Sequence, residues 1–236
     1  MARTLKFLGI VGGKPSPWLY VFLVGAVMSM GCNPGTLYLL MPWMEDKIAP
    51  KLPLTTDKKE VTVVIHAYFA HPLAAQGNFV GDLHGVDGDL SERLTAALKK
   101  RYDDNRDRIK IIPHYQVRSF VNRNGDSRLV SAHEIGKHFN ADYVISLEIN
   151  NLSLYEGGSS RQLLRGRTEL SVTVFDMSKP REEGLVMDET YRAEYPPTGP
   201  EDAGSSSALQ FRNRFLTQIS REISRWFAAT VREYDI

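Results

Sequence analysis

Two groups of histidine and acidic residues have side chains that could bind a metal ion or transfer protons. The first is the stretch HEIGKH at residues 133–138. A zinc protease needs His-Glu-x-x-His, in which the two histidines lie one helical turn apart and both reach the metal. His133 and His138 are five residues apart, which is about 140° around a helix. This spacing predicts polar side chains that face solvent on a short helix, rather than a zinc site.

The second group lies in or beside the glycine-rich segment 71–88. It comprises His66, His71, His84, Asp82, Asp87 and Asp89. Loops of this kind carry ligand and metal sites in many proteins. However, no pair of these histidines has a metal-ligand spacing that a third histidine completes. The sequence therefore gives little support to a metal-dependent hydrolase that uses this loop.

The usual signatures of catalysis are missing from the sequence. There is no Gly-x-Ser-x-Gly, no Gly-x-x-x-x-Gly-Lys-[Ser/Thr] and no Gly-x-Gly-x-x-Gly, which are motifs of serine nucleophiles and phosphate-binding loops. The only cysteine, Cys32, lies near the amino terminus, so no thiol is left as a nucleophile. We predict no enzymatic activity, no catalytic residue, and no bound cofactor or metal.

Arginine residues cluster around residues 161–167. Arg161, Arg165 and Arg167 fall at the tip of a predicted β-hairpin, with Arg181 and Arg192 on nearby strands. A basic tip can bind an anionic lipid, a glycan or an acidic protein face, so the first three arginines are candidate partner-binding residues. The alternative is a solvated edge that uses positive charge to block strand pairing.

The composition gives no reason to expect nucleic acid as a partner. The chain has 236 residues, with 29 Lys plus Arg against 28 Asp plus Glu, and a formal net charge of +1 at pH 7. Binding to a phosphate backbone needs a clustered basic face. With 42% hydrophobic and 24% charged residues, the chain has the composition of an ordinary globular protein of one or two domains.

Hydrophobic periodicity predicts one α/β (α+β) domain over residues 60–236. Strands are predicted at 60–69, 109–112, 142–155, 170–174 and 185–195, and helices at about 87–100, 115–122, 131–139 and 208–233. Asp87 or Asp89 is the expected cap of the first helix and Ser131 that of the third. The order β-α-β-α-β-β-β-α predicts a mixed five-stranded sheet with helices mainly on one face.

The predicted strand at 142–155 changes parity along its length. Ile145, Leu147 and Ile149 alternate with polar residues, whereas Leu152 and Leu154 continue on the opposite parity. A β-bulge in the two asparagines between these sets would return them all to one face. The segment 142–176 is therefore predicted to form a bulged hairpin with one apolar face and one polar face.

The amino terminus has the layout of an export signal. A basic stretch with Arg3, Lys6 and Lys14 precedes an apolar run over residues 17–30. This run is too short to span a bilayer comfortably, because a transmembrane helix needs about 20 apolar residues. We therefore predict a signal peptide over residues 1–31. The alternative is an uncleaved inner-membrane anchor over residues 18–44, which the sequence NPG at 33–35 interrupts.

The sequence SMGC at residues 29–32 resembles the lipobox of bacterial lipoproteins, with Ser29 where that family usually has Leu. The resemblance implies cleavage before Cys32 and acylation of that cysteine with diacylglycerol and palmitate, which together give a durable membrane anchor. Asn33 stands in place of the Asp that commonly retains such proteins at the inner membrane. The implied location is therefore the periplasmic face of the outer membrane, with residues 32–59 as a proline-containing, lipid-anchored tether.

Three stretches in the predicted domain resemble a family of bacterial envelope proteins. They are GDLSERLTAAL at 88–98, RIKIIP at 108–113 and AHEIGKHFNADYVISLEI at 132–149. Over about residues 60–231 the pattern looks like the domain shared by the amino-terminal part of TolB and the curli-export lipoprotein CsgG. Phe139 and Asn140 replace the usual Leu-Gly. The resemblance implies an envelope module that binds other proteins, and it carries over no catalytic residues.

The first functional hypothesis is a lipid-anchored cell-envelope protein that acts as a non-catalytic interaction or assembly module, with other envelope proteins as partners. The second is a homo-oligomeric outer-membrane export component, as in CsgG. Its hairpins would need about ten alternating residues per strand facing lipid. The predicted hairpin is long enough, but Glu148, Arg167 and Glu169 on its outer face disfavour lipid contact.

Overall fold

The structure is a computed structural model that describes residues 47–55, 60–71, 81–125 and 130–231. The predicted signal peptide, Cys32 and the first part of the predicted tether lie outside these residues. A compact unit starts at Lys47, so residues 47–55 belong to the domain instead of the tether. Leu54 is 1% exposed within the main core, and the Leu52 N–H donates to the Trp226 carbonyl at 2.8 Å.

The described residues form eight strands and four helices. The strands are β1 Lys47–Ile48, β2 Val61–Phe69, β3 Ile109–Ile111, β4 Tyr143–Tyr155, β5 Leu163–Asp176, β6 Leu185–Tyr195, β7 Glu201–Asp202 and β8 Thr230–Val231. The helices are α1 Val86–Asn105, α2 His114–Asn124, α3 Ala132–Phe139 and α4 Ala208–Ser224. This succession confirms the predicted mixed α/β class.

One mixed sheet organises the domain, with strand order β3-β2-β4-β5-β6. Strand β2, which lies between β3 and β4, is parallel to both of them, whereas β4, β5 and β6 are antiparallel neighbours. The short strand β7 pairs with β5, and β1 pairs with β8 in a separate ribbon. The predicted five-stranded sheet is therefore present, with β7 as a short addition.

The predicted β-bulge in β4 is confirmed. Ile149 pairs with Leu170 of β5, but the next pair along the ladder is Asn151 with Glu169. The extra residue restores the parity of the strand, so Leu152 and Leu154 point into the same core as Ile149 and are fully buried.

Helices cover the two faces of the sheet unequally. The long helices α1 and α4 pack on one face and enclose the main core with β2, β4 and β5. The shorter helices α2 and α3 pack on the other face at one end, around Val64 and Val144. Both faces of β2 are buried there, which explains its nearly continuous apolar sequence.

The sequence predicts the N-terminal caps of α1 and α3, and the structure confirms one of the two. The expected cap of α3 is confirmed: the Glu134 N–H donates to Ser131 Oγ at 3.2 Å, and the Ser131 N–H donates to the Glu134 carboxylate at 2.9 Å. The expected cap of α1 is wrong. That helix starts after Gly85, which has a φ of 74°, so Asp87 and Asp89 lie inside its first turn, where negative charge is favourable.

The last helix is shorter than its apolar stripe predicts. It ends at Ser224 instead of residue 233, and the Trp226 N–H donates to the Ile223 carbonyl at 3.0 Å in a tight turn. This turn lets Thr230 pair with Ile48 of β1. Among the described helices, none is both long enough and apolar enough to cross a membrane.

Candidate functional site

Two of the three predicted partner-binding arginines lie in an ion-pair network on the hairpin. Arg165 contacts the carboxylates of Glu194 at 2.6 Å and Glu156 at 3.4 Å. Arg167 contacts the same two carboxylates, at 3.0 Å and 2.8 Å respectively. The third, Arg161, is exposed at the tip, with its guanidinium carbon 5.8 Å from the centre of the Tyr155 ring.

The network balances two positive charges with two negative ones. Hydrogen bonds from Arg167 are the main cause of the lowered pKa of both Glu156 and Glu194, and the same bonds raise the pKa of Arg167. The positive charge expected at this part of the hairpin is therefore largely compensated within the sheet. What the arrangement offers a partner is a fixed pattern of hydrogen-bonding groups rather than a basic patch.

Three of these four residues, Arg165, Arg167 and Glu194, belong to a larger polar surface, which we call the open face. It is the side of β4, β5 and β6 that points away from α1 and α4, as fixed by the strand register. Cross-strand contacts order it: Arg192 pairs with Glu169 at 3.1 Å, and the Asn150 side-chain amide donates to Ser171 Oγ at 2.8 Å. Its members are Glu148, Asn150, Ser153, Arg165, Arg167, Glu169, Ser171, Thr173, Asp188, Thr190, Arg192 and Glu194.

Helices α2 and α3 cover this side of the sheet only at the level of Val144 and Phe175. Beyond that level, no helix in the described part of the chain packs over the open face. The opposite side of β4 and β5 is buried under α1 and α4. The described hairpin therefore has one polar side and one side covered by helices, and the three charged residues that disfavoured lipid contact, Glu148, Arg167 and Glu169, all lie on the polar side.

The fold divides the histidines and aspartates of the first loop between separate places, and it brings His66 and Asp87 together in one small pocket. His66 lies on β2, is 7% exposed, and stacks on the Tyr68 ring with centroids 5.3 Å apart. His71 is exposed at the edge of the described segment. Within the residues that the structure describes, no three His, Cys, Asp or Glu side chains are grouped to hold a metal ion.

Two aspartates of this loop instead attach it to the rest of the domain. Asp82 accepts a hydrogen bond from the Tyr155 hydroxyl at 2.9 Å. The Arg212 guanidinium pairs with Asp89 at 2.5 Å and donates to the backbone carbonyls of Asp82 and His84 at 3.0 and 3.2 Å. Arg212 therefore connects α4 to the start of α1.

Arg212 is a residue whose role the sequence analysis missed. The residue is only 9% exposed, whereas arginine is mostly an exposed residue in folded proteins. A signal was present, because Arg212 precedes Leu216, Ile219 and Ile223 at helical spacing and so lies on the apolar stripe. A charged residue on that stripe indicates a buried partner.

The histidines of the HEIGKH stretch behave as ordinary helix residues. His138 stacks on Phe120 of α2 with ring centroids 4.0 Å apart, and it meets Phe139 edge to face. His133 is half-buried in the first turn of α3. These ring contacts pack α3 against α2.

A second surface lies on the other side of the domain, between the outer faces of α1 and α4. We call it the basic groove. It has a volume of about 460 Å³ and is lined by Arg93, Ala96, Ala97, Lys100, Arg101, Asp104, Thr217, Ser220, Arg221 and Ser224. Four of these side chains are cationic and one is acidic. These bases come from two helices that are far apart in the sequence, and the packing of α1 against α4 brings them together.

Comparison with known proteins shows no family for this chain. No protein-family model and no curated protein matches it. Among solved structures, the chain is similar to XCC0632 from Xanthomonas campestris, which has 12% sequence identity and a TM-score of 0.41 over 75% of this chain and 91% of that one. That structure is described as belonging to the DUF330 family model.

Two further solved structures are similar to this chain to about the same extent. Lipoprotein GNA1162 from Neisseria meningitidis has 9% identity and a TM-score of 0.40, over 70% of this chain and 98% of that one. The PelC dodecamer from Paraburkholderia phytofirmans has 12% identity and a TM-score of 0.37, over 74% of this chain and 94% of that one. Similarity at this level is too low to transfer any property of these proteins to this chain.

Proposed function

We propose that this protein is a lipid-anchored component of the cell envelope that acts without catalysis, as an interaction module for other envelope proteins. The observation that supports the proposal most directly is the open face. It is a polar surface spanning three strands, it is ordered by cross-strand ion pairs, and no helix of the described residues covers it.

The open face has the properties of a preorganised protein-binding surface. Arg165 and Arg167 are held in one geometry by the carboxylates of Glu194 on β6 and of Glu156 just after β4, so a partner would not have to order them. Arginine is enriched at protein interfaces because its planar guanidinium donates several hydrogen bonds and stacks on other groups. Arg165 and Arg167, with Arg161 at the adjacent tip, are the residues we assign to partner contact.

The anchor in this proposal is Cys32, carrying diacylglycerol and palmitate, at the periplasmic face of the outer membrane. The described domain starts at Lys47, so residues 33–46 connect the anchor to the domain. A chain of this length reaches at most about 50 Å. The domain would therefore stay close to the membrane surface and present the open face to proteins of the envelope.

The test is site-specific photocrosslinking in cells that produce the full-length protein. A photoreactive residue replaces Thr190, which is exposed on the open face, or Gln116, which is exposed on α2 and serves as the matched control. We expect a discrete crosslink to an envelope protein from position 190, none from position 116, and loss of the crosslink in a Cys32→Ala background.

The same samples test the anchor. Intact mass of the membrane-extracted protein should show a chain that begins at Cys32 with added diacylglycerol, and the Cys32→Ala variant should lack this species. Equal crosslinking from positions 190 and 116, or none from position 190, would contradict the interaction role. An unmodified chain that begins at Met1 or Ala2 would contradict the lipid anchor.

A further inference from the structure

The basic groove lies where the polypeptide enters the domain from its amino-terminal side. Arg101, which lines the groove, donates to Thr230 Oγ1 at 2.8 Å and to Ser224 Oγ at 2.7 Å. Thr230 belongs to β8, whose only partner strand in the described residues is β1, the first element of the domain. The groove is thus next to the ribbon from which the chain continues towards Cys32.

The guanidinium of Arg93 is held by neutral groups. It donates to Thr217 Oγ1 at 2.8 Å and to Asn213 Oδ1 at 2.9 Å, both on α4. These bonds fix the side chain between the two helices without cancelling its positive charge. This arrangement differs from the open face, where Arg165 and Arg167 each contact two carboxylates.

Two further cations extend the positive surface towards solvent. Lys100 and Arg221 are exposed on neighbouring helices and line the same groove. Asp104 is the one acidic residue in its lining. In the adjoining ribbon, Ile48 is an exposed large apolar side chain, with half of its surface accessible. A cationic surface with a neighbouring exposed apolar residue is the combination that favours contact with an anionic bilayer.

We propose that the α1–α4 face docks on the anionic phospholipid headgroups of the membrane that holds the protein, with the basic groove as the contact. This inference rests on the proposed attachment of the protein to a membrane through Cys32. The groove and the open face lie on opposite sides of the sheet. Docking through the groove therefore turns the open face away from the bilayer, where a protein partner can reach it.

The strength of such contact follows from the number of cations. Each Lys or Arg near an anionic surface strengthens binding by about fivefold at physiological ionic strength. Replacing both Lys100 and Arg221 by Glu removes two cations and adds two anions, so we expect the docked population to fall by at least roughly 25-fold relative to the undocked one. High salt should have a similar effect, because the Debye length shortens from about 8 Å to about 3 Å in 1 M salt.

The experiment measures energy transfer from a dye on the full-length protein to an acceptor-labelled lipid in reconstituted vesicles. The dye is attached through a bio-orthogonal residue at position 99 on α1, or at position 123 on α2 as the control site; Lys99 and Arg123 are both exposed. One set of vesicles is pure phosphatidylcholine, and the other contains equal parts of phosphatidylcholine and phosphatidylglycerol.

Docking predicts stronger transfer from position 99 than from position 123, only in the anionic vesicles and only at low salt. The variant Lys100→Glu/Arg221→Glu should lose this difference. The variant Arg123→Glu/Lys137→Glu makes the same change of charge on α2 and α3, where both side chains are exposed, and with the dye at position 99 it should retain the strong transfer.

Three results would overturn the proposal. The first is equal transfer from both dye positions in anionic vesicles, and the second is transfer that does not depend on lipid charge. The third is transfer that follows the density of protein in the vesicle instead of lipid charge, which would assign the groove to a second copy of the chain. An intact mass without added lipid would contradict the lipid anchor alone, because the dye is attached independently of the Cys32 thiol.

Discussion

Gly166 on β5 provides a direct test of how α4 packs on the sheet. A Cβ added at this position would lie 2.6, 2.7 and 2.8 Å from three atoms of the Phe215 ring on α4. Ordinary contact begins at 3.4 Å, so the ring would have to move by about 0.8 Å (3.4 minus 2.6). Phe215 is fully buried, and the Tyr195 ring stacks on it with centroids 6.1 Å apart.

The substitution Gly166→Ala should therefore destabilise the domain. Overpacking a rigid core by one methyl group costs typically 1 to 3 kcal/mol, and we expect about 2 kcal/mol here because the ring is confined. The assay is urea unfolding of the full-length protein in detergent, followed by tryptophan fluorescence. With an m-value of about 2 kcal/mol/M, the midpoint should fall by about 1 M.

Two comparisons make this prediction specific to the contact. Gly157→Ala is the matched control, because an added Cβ at that position has no neighbour within 4 Å, and we expect its midpoint to stay close to the wild-type value. Adding Phe215→Leu to Gly166→Ala should cost less than the sum of the two single changes, since the smaller side chain makes room for the methyl group. The reasoning is refuted if Gly166→Ala is as stable as Gly157→Ala, or if the double variant is fully additive.

Two more predictions follow from the charged contacts. Arg212→Met should lower the free energy of unfolding by about 2 to 3 kcal/mol, because it leaves Asp89 without its ion pair and the carbonyls of Asp82 and His84 without their donor. Limited proteolysis of the variant should then cut near residues 82–88. An unchanged cleavage pattern would exclude this role for Arg212. Glu156 and Glu194 have lowered pKa values in the folded protein, so their contribution to stability is present above the unfolded-state pKa of about 4.3 and is lost as the pH falls through the folded-state values. The stability difference between wild type and Arg167→Gln should therefore be constant from about pH 6 to 8 and shrink below about pH 4, and a difference that grows on acidification would show that the network is not the cause.

Local patterns in the sequence were sufficient for the succession of elements and for several details. The parity change between Ile149 and Leu152 predicted a bulge, because side chains in a strand alternate strictly and an apolar set cannot change face without an extra residue. Ser131 with Glu134 three residues later predicted the start of α3, since this pair satisfies two backbone donors by local contacts alone. Such features depend only on residues that are close in the sequence, so they can be predicted without knowledge of the fold.

Other features depended on contacts between distant residues. The last helix ends at Ser224 although its apolar periodicity continues, because Thr230 pairs with Ile48 at the other end of the domain. Residues 47–55 join the domain for the same reason, because the Leu52 N–H donates to the Trp226 carbonyl. No local pattern contains this information, since Ile48 pairs with Thr230 and Leu52 bonds Trp226, each more than 150 residues away.

The two candidate surfaces also depend partly on local sequence and partly on contacts between distant residues. The sequence located Arg165 and Arg167 on a hairpin, but their charge compensation was visible only once strand register placed Glu156 and Glu194 beside them. The bases of α1 and α4 lie on two helices that are far apart in the sequence. That they form one groove was decided by the tertiary structure, since the burial of Leu94, Leu98, Phe215 and Ile219 in a shared core sets the two helices side by side.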